Sequence, residues 1–569
     1  MRVYEAIVKG LEGIGVTAAF GGAGENAAGM MIALKHSTRI RPVITRNEQA
    51  ASFMACGYAM YSDRLGFCFA TAGPGAFNLF SGLAVAMSDS YPVLAVSGYA
   101  SLAWEGRGSL NETSGKNRTP DSQAMFAATT KKSYLLTNIA DTCDVLEEAV
   151  NLAFEGRPGP VHIHVPEDLT HRGVEVENYR DIRLDVAPVQ PEPDQVEEIA
   201  AVLADAINNG EPVVALAGFG AIRSGAGDQL RHFIERFQIP LLTTLDGKGI
   251  VPEGHPLCIG VFSDSGHSSA WKAFREAKVV LCIGNALNQH ATFNYYEGLF
   301  DGKVLIHVNI SPTEIDKAYR ADYALVSDAR AAVSALADAL EARVGEVKTA
   351  HADGQDYEAR PILDVTGLIH PGRLAQSIGK MLPPGAVLLA DAGAHLAWLG
   401  YYVELAEGQN FRKAGEFGPM AGHVNGALGL KVAHPDRTVV VGCGDGCYLM
   451  SGFELMTAVQ YQIPVIWIIF DDEEFKLIKL YQLSAYHETG LVEFANPDYA
   501  AYARACGADG YRVDSLGEFE AAFAAALSSG RPTVIDAKIT RWAVPHYSPS
   551  PHGVIAGLVE AIEERFTSQ

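Results

Sequence analysis

An apolar strand ending in Gly444-Asp445-Gly446, followed by a helical stretch and a second apolar strand ending in Asp471-Asp472, carries the most chemistry per residue in this chain. The glycines allow a tight turn and close backbone approach to an anion. Each aspartate offers a hard oxygen at the carboxyl edge of a strand. A divalent cation such as Mg²⁺ is commonly held by a few protein oxygens together with the phosphates of a ligand. Gly-Asp-Gly alone is an ordinary strand-to-helix turn. The second strand and its acid make it a candidate cation–diphosphate site, with Asp445 and Asp472 as the side-chain ligands.

Such edges need a sheet behind them. Continuous apolar runs such as "YPVLAVSGY", "EPVVALAGFG", "AKVVLCIGNA", "RTVVVGCGDG" and "IPVIWIIFDD" alternate with helical patterns almost throughout. Runs of this kind predict parallel sheets covered on both faces. A proline-rich linker near 187–195 and a polar one near 348–361 divide the 569 residues into three doubly wound α/β domains: 1–185, 190–345 and 362–569. Ligands of open parallel sheets bind beyond the strands' carboxyl ends, where the glycine-rich turns fall.

Composition narrows the partners. The formal net charge of −23 disfavours nucleic acid, which needs a basic face. No apolar run is long enough to predict a membrane span, and the first residues read as an amphipathic helix. Eight separated cysteines read as free thiols in a reducing compartment, the cytoplasm.

With these residues in view, the chain resembles the thiamine diphosphate enzymes of the acetohydroxyacid synthase and pyruvate decarboxylase group. That family carries Gly-Asp-Gly and then two asparagines ending the next strand. The resemblance implies Mg²⁺ held by Asp445, Asp472 and the backbone carbonyl of Glu474. Asp471-Asp472 in place of Asn-Asn is a departure. The backbone N–H groups of Gly446 and Cys447, beside Gly444, would face the diphosphate, as would Gly393, Ala394 and His395 of "ADAGAHLAW". In "AGEFGPMAGHVNG", the Gly418 carbonyl and Met420 fall where the aminopyrimidine is held and bent. "TRNEQAASFMACGYA" is similar to the segment bearing the glutamate that bonds this ring, with Asn47 where histidine is usual. Glu48 is then the catalytic acid, since a carboxyl in an apolar wall can share a proton with a ring nitrogen.

On the substrate side the resemblance implies Glu25 as a second acid near the chemistry, with Asn26 beside it. Arg118 stands near the place of a pocket glutamine and could grip a carboxylate. His267 lies on a loop that approaches the active site in relatives. Ile478 is apolar where pyruvate decarboxylases have an acid. The implied activity is acetolactate-synthase-like carboligation of 2-oxo acids. The alternatives are 2-oxo acid decarboxylation, cleavage of a hydroxyketone or diketone, and a non-catalytic structural or regulatory relative. The central, Rossmann-like domain lacks the family's flavin element, "NALNQHATFN" standing in its place, so flavin adenine dinucleotide is expected to be absent. The family pairs the aminopyrimidine-binding first domain of one subunit with the diphosphate-binding third domain of another. A homodimer or homotetramer with shared sites is therefore expected, its contact including the small, apolar helix after Glu48.

Overall fold

The computed structural model describes residues 1–171, 173–345, 347 and 368–545. The second expected linker, 348–361, the boundary at 362 and the tail from 546 lie outside the described residues.

Three six-stranded sheets form, every pairing between neighbouring strands being parallel. The first comprises β1 (Ala18–Gly21), β2 (Arg41–Ile44), β3 (Gly66–Ala70), β4 (Val93–Tyr99), β5 (Lys132–Leu135) and β6 (Pro160–Pro166), in the order 2-1-3-4-6-5. The second comprises β7 (Val213–Ala217), β8 (Leu241–Thr243), β9 (Cys258–Val261), β10 (Val279–Ile283), β11 (Val304–Asn309) and β12 (Tyr323–Val326), ordered 12-11-10-7-8-9. That is the dinucleotide-binding order, 3-2-1-4-5-6 when counted from β7. The third comprises β13 (Val387–Ala390), β14 (Asn410–Lys413), β15 (Val439–Gly444), β16 (Val465–Asp471), β17 (Asp509–Val513) and β18 (Thr533–Lys538), ordered 14-13-15-16-18-17. The first and third sheets thus share one topology. Each has its order reversal between its first and third strands, β1/β3 and β13/β15, where a crevice for ligand opens. Central strands such as Val93–Tyr99 and Val465–Asp471 are buried at every position, as expected for sheets flanked by helices.

One hydrophobic core spans the first and third sheets. Its seam is the contact between helix Glu48–Met60 and helix Gly422–Ala433. A Cβ at Gly57 would sit 1.9 Å from the Gly426 carbonyl oxygen, and one at Gly429 would sit 1.8 Å from that of Met54. Only glycine at 57 and 429 permits this approach. The small residues after Glu48 therefore pack on the third domain of the same chain, which covers this helix without a partner subunit. No described helix is long and apolar enough to cross a membrane, and no disulfide joins the cysteines.

Candidate active site

A cavity of about 230 Å³ lies at the carboxyl edge of the third sheet, at its order reversal. Every third-domain residue singled out from the sequence, Asp471 excepted, lines it. Gly393, Ala394 and His395 come from the turn after β13 and the start of helix Ala394–Tyr402. Gly393 has φ +145°, a conformation open to glycine, and a Cβ there would strike the His395 ring at 2.8 Å. His395 is buried, and its Nε2 has no hydrogen-bond partner among the described residues. Burial pushes its pKa down to about 4, so the ring is neutral near pH 7.

Gly444, Asp445, Gly446 and Cys447 follow β15. Asp445 is buried at the first turn of helix Asp445–Ser451. Its Oδ1 accepts the Gly446 N–H at 2.7 Å. Its Oδ2 accepts the Glu473 N–H and the Asn496 side-chain amide, both at 2.7 Å. Asp472, at the end of β16, is also buried, with Lys476 Nζ at 3.4 Å. Burial is the main reason that Asp445 is pushed up to about 6 and Asp472 to about 7; nearby acids add to it, Asp471 beside Asp445, and Asp445 with Glu474 beside Asp472. A buried carboxylate pair of this kind calls for a cation.

The donor set fits Mg²⁺ with a diphosphate. The Glu474 carboxylate is taken by Lys476 and, at 2.5 Å, by Lys479, which leaves its backbone carbonyl as the available oxygen. Among the described residues no three His, Cys, Asp or Glu side chains form a complete metal cage. A cation here needs ligand oxygens to finish its shell.

Met420 is half-buried, with its methyl close to Gly446. Gly418, at φ 65°, is exposed beside it. Across the cavity, Ile478 on helix Lys476–Tyr486 is 52% exposed, an apolar wall open to solvent.

Glu48, Glu25 and Asn26 lie elsewhere, at the order reversal of the first sheet. Glu48 opens helix Glu48–Met60, and Asn47 caps it by accepting the Gln49 N–H at 2.8 Å. This gives the departure from histidine a structural use. The Glu48 carboxyl is half-buried against Gly22 and Gly75 and accepts from the Asn78 amide at 2.9 Å. Asn26 bonds Thr71 through its N–H at 3.2 Å, and Glu25 beside it is exposed. Arg118 is exposed, at φ 68°, on a turn closed by the Ser114–Asp121 bridge. None of these lines the 230 Å³ cavity of the same chain.

His267 also stands apart. It is buried, its Nδ1 accepts the Val261 N–H at 2.9 Å and its Nε2 lies 3.1 Å from the Tyr401 carbonyl. Nδ1 is held within the second domain, and Nε2 ties that domain to the third. It does not line the 230 Å³ cavity of its own chain.

Two residues that sequence reasoning missed hold the site together. Asn496 bridges Asp445 and Asp471. Glu454, buried, accepts the N–H groups of Arg46 and Asn47 at 2.8 and 3.0 Å and so pins the start of the Glu48 helix to the third domain.

A larger cavity, about 550 Å³, opens where the three domains meet, around Phe219, Thr244, Gly284, Asn309 and Arg412. Two of its cations face acids: Arg157 meets Glu314 at 2.8 Å, and Arg412 meets Asp246 at 2.5 Å and Asp89 at 3.3 Å.

Three family models match the chain. They are described as the N-terminal TPP binding domain (residues 1–119), the central domain (200–336) and the C-terminal TPP binding domain (391–537) of thiamine pyrophosphate enzymes. The chain is 31% identical over 562 residues to a probable acetolactate synthase large subunit of Methanocaldococcus jannaschii, covering 94% of this chain and 91% of that protein. It is 29% identical to the acetolactate synthase large subunit of Corynebacterium glutamicum, covering 94% and 86%. Identity is 27% to the isozyme 2 large subunit of Escherichia coli K12, covering 95% and 96%.

Proposed function

We propose that this chain, which belongs to the thiamine pyrophosphate enzyme family, joins two 2-oxo acids into one 2-hydroxy-3-oxo acid with release of CO₂, using thiamine diphosphate and Mg²⁺. The observation that carries this reading is the placing of Asp445, Asp472, Met420 and the unpartnered Nε2 of His395 around one cavity at a sheet's order reversal. When bound, thiamine diphosphate supplies the nucleophilic carbon and the electron sink for breaking and making bonds beside a carbonyl. Asp445, Asp472 and the Glu474 carbonyl hold Mg²⁺. Gly393, Ala394, Gly444, Gly446 and Cys447 line the diphosphate place, and the neutral His395 offers it a ring nitrogen. Met420 and the Gly418 carbonyl orient the aminopyrimidine. Glu48 holds and returns a proton at its ring nitrogen. Ile478 gives the substrate an apolar wall and no acid, which favours capture of a second 2-oxo acid over protonation and aldehyde release. Glu25, Asn26 and Arg118 border the substrate side.

The test is incubation with thiamine diphosphate, Mg²⁺ and a panel of 2-oxo acids. Expected are one CO₂ per product and a product mass equal to two acids less one CO₂. Aldehyde with CO₂ alone would replace this reading with decarboxylation. No turnover with any acid, in a chain shown to bind the cofactor, would replace it with another substrate class. Flavin is not required in this reading, supported by "NALNQHATFN" standing in the place of the family's flavin element. The purified protein is expected to be colourless, and a flavin absorption band would reverse that.

The acids make cation binding pH-dependent. Both folded-state values lie above the ordinary carboxylate value, so ionising Asp445 and Asp472 costs the cation-free chain stability as pH rises through about 6 to about 7. Mg²⁺ binding expels those protons and is expected to tighten over the same rise, by up to about tenfold per pH unit per proton released. Calorimetric titration with thiamine diphosphate present measures it, and a flat profile between pH 5.5 and 8 refutes it. Asp472→Asn restores the amide usual in the family. Cofactor binding is expected to survive in it and to lose the upper part of the pH response. Complete loss of Mg²⁺-dependent binding would show that this carboxylate is required.

A further inference from the structure

Asp471 stands one residue before a proposed metal ligand and does not line the cofactor cavity. Successive strand residues point to opposite faces, so Asp472 faces the cavity and Asp471 the space behind it. The Asp471 side chain is fully buried, where an unpaired charge is expensive. Its counter-charge comes from the next strand. Asp471 on β16 is in register with Lys538 on β18, and Lys538 Nζ meets Asp471 Oδ2. Lys538 also lies 3.2 Å from Asp536, two residues back on the same face and likewise fully buried. With Oδ2 held by the ammonium, Asp471 presents Oδ1 to the Asn496 amide at 2.8 Å. The same amide nitrogen reaches Asp445 Oδ2 at 2.7 Å, and Tyr499 holds the other end of Asn496 by donating to its Oδ1 at 2.9 Å. The line Asp536–Lys538–Asp471–Asn496–Asp445 ends on the cation-facing carboxylate.

We propose that Lys538 is a positioning residue of the metal site: its ammonium neutralises Asp471, and the pair orients the Asn496 amide that fixes Asp445 toward the cation. Rested on the reading that Asp445 and Asp472 hold Mg²⁺, this explains how the chain tolerates an acid where the family has an amide. Three features act together: an acid at 471, a lysine at 538 in register with it, and a second acid at 536 flanking that lysine.

The experiment compares Mg²⁺ titrations, by calorimetry in the presence of thiamine diphosphate, with a melting curve for each protein. Lys538→Met is expected to weaken Mg²⁺ affinity by about 10–100-fold, the usual cost of losing a group that orients a metal ligand. Lys538→Arg should stay close to wild type. The charge-free triple variant Asp471→Asn/Asp536→Asn/Lys538→Met should recover most of the affinity, because an asparagine at 471 can still hold Asn496. If Lys538→Met does not fold, the triple variant alone decides: it must fold and bind Mg²⁺. A folded Lys538→Met with unchanged affinity overturns the proposal, as does a folded triple variant no better than Lys538→Met. If wild type itself shows no Mg²⁺-dependent cofactor binding, the cofactor reading falls and takes this one with it. Wild-type binding with indifferent variants overturns only the role of Lys538.

Discussion

Glu48→Gln is expected to lower kcat by about 10²–10⁴-fold, the range for a lost general acid–base group, while the protein melts as wild type does. An amide cannot share and return the proton that the proposed role requires. The fold should not notice the change, since the glutamine oxygen can still accept from Asn78. The helix start is held by Asn47 and by Glu454 through the N–H groups of Arg46 and Asn47. A half-buried polar substitution of this kind usually changes stability by less than about 0.5 kcal/mol. Assays at saturating thiamine diphosphate and Mg²⁺ separate a catalytic loss from a binding loss. Near-normal turnover would remove Glu48 from the mechanism, and an inactive variant that fails to melt cooperatively would leave Asp445 as the sharper test of the site.

What could be read from the sequence follows a physical line. Doubly wound sheets announce themselves through continuous apolar strands, and their ligands gather at strand ends. The third-domain residues were therefore legible, because each lies at or shortly after the carboxyl end of β13, β14, β15 or β16. Residues that act from a distance were not. Asn496, Glu454 and Lys538 reach the site through pairings that only the folded sheet order creates. The bonds of His267 were not legible either, because loop position says nothing about what the ring nitrogens meet. The helix after Glu48 was legible as one needing burial. What covers it was not, because a stripe of small residues suits a neighbouring domain and a neighbouring subunit equally well. Asn47 looked like a departure from a catalytic motif, and its use is local, as the helix cap.

Asp445→Ala is expected to abolish Mg²⁺-dependent retention of thiamine diphosphate, a larger loss than any change in folding. It takes away one of two side-chain oxygens at the proposed cation, and the diphosphate charge is left less neutralised. Its removal relieves a buried carboxylate cluster but strands the Gly446 and Glu473 N–H groups and the Asn496 amide, and these effects oppose each other in the cation-free chain. Unchanged cofactor titration would count against the metal site. The same variant tests where the catalytic acid comes from. Glu48 does not line the cavity that contains Asp445 in its own chain, and its helix is locked to that chain's third domain by the glycine contact at Gly57 and Gly426. A Glu48 fixed there can meet a diphosphate-bearing cavity if a second chain supplies it. Inactive Glu48→Gln and inactive Asp445→Ala chains, unfolded together and refolded, should then regain part of the wild-type activity, because each mixed dimer has one site with both lesions and one with neither. If each chain builds its own site, every site keeps a lesion and nothing returns. A mixture that stays inactive after subunit exchange has been demonstrated, or a monomer that turns over at the full rate, would reject the shared site.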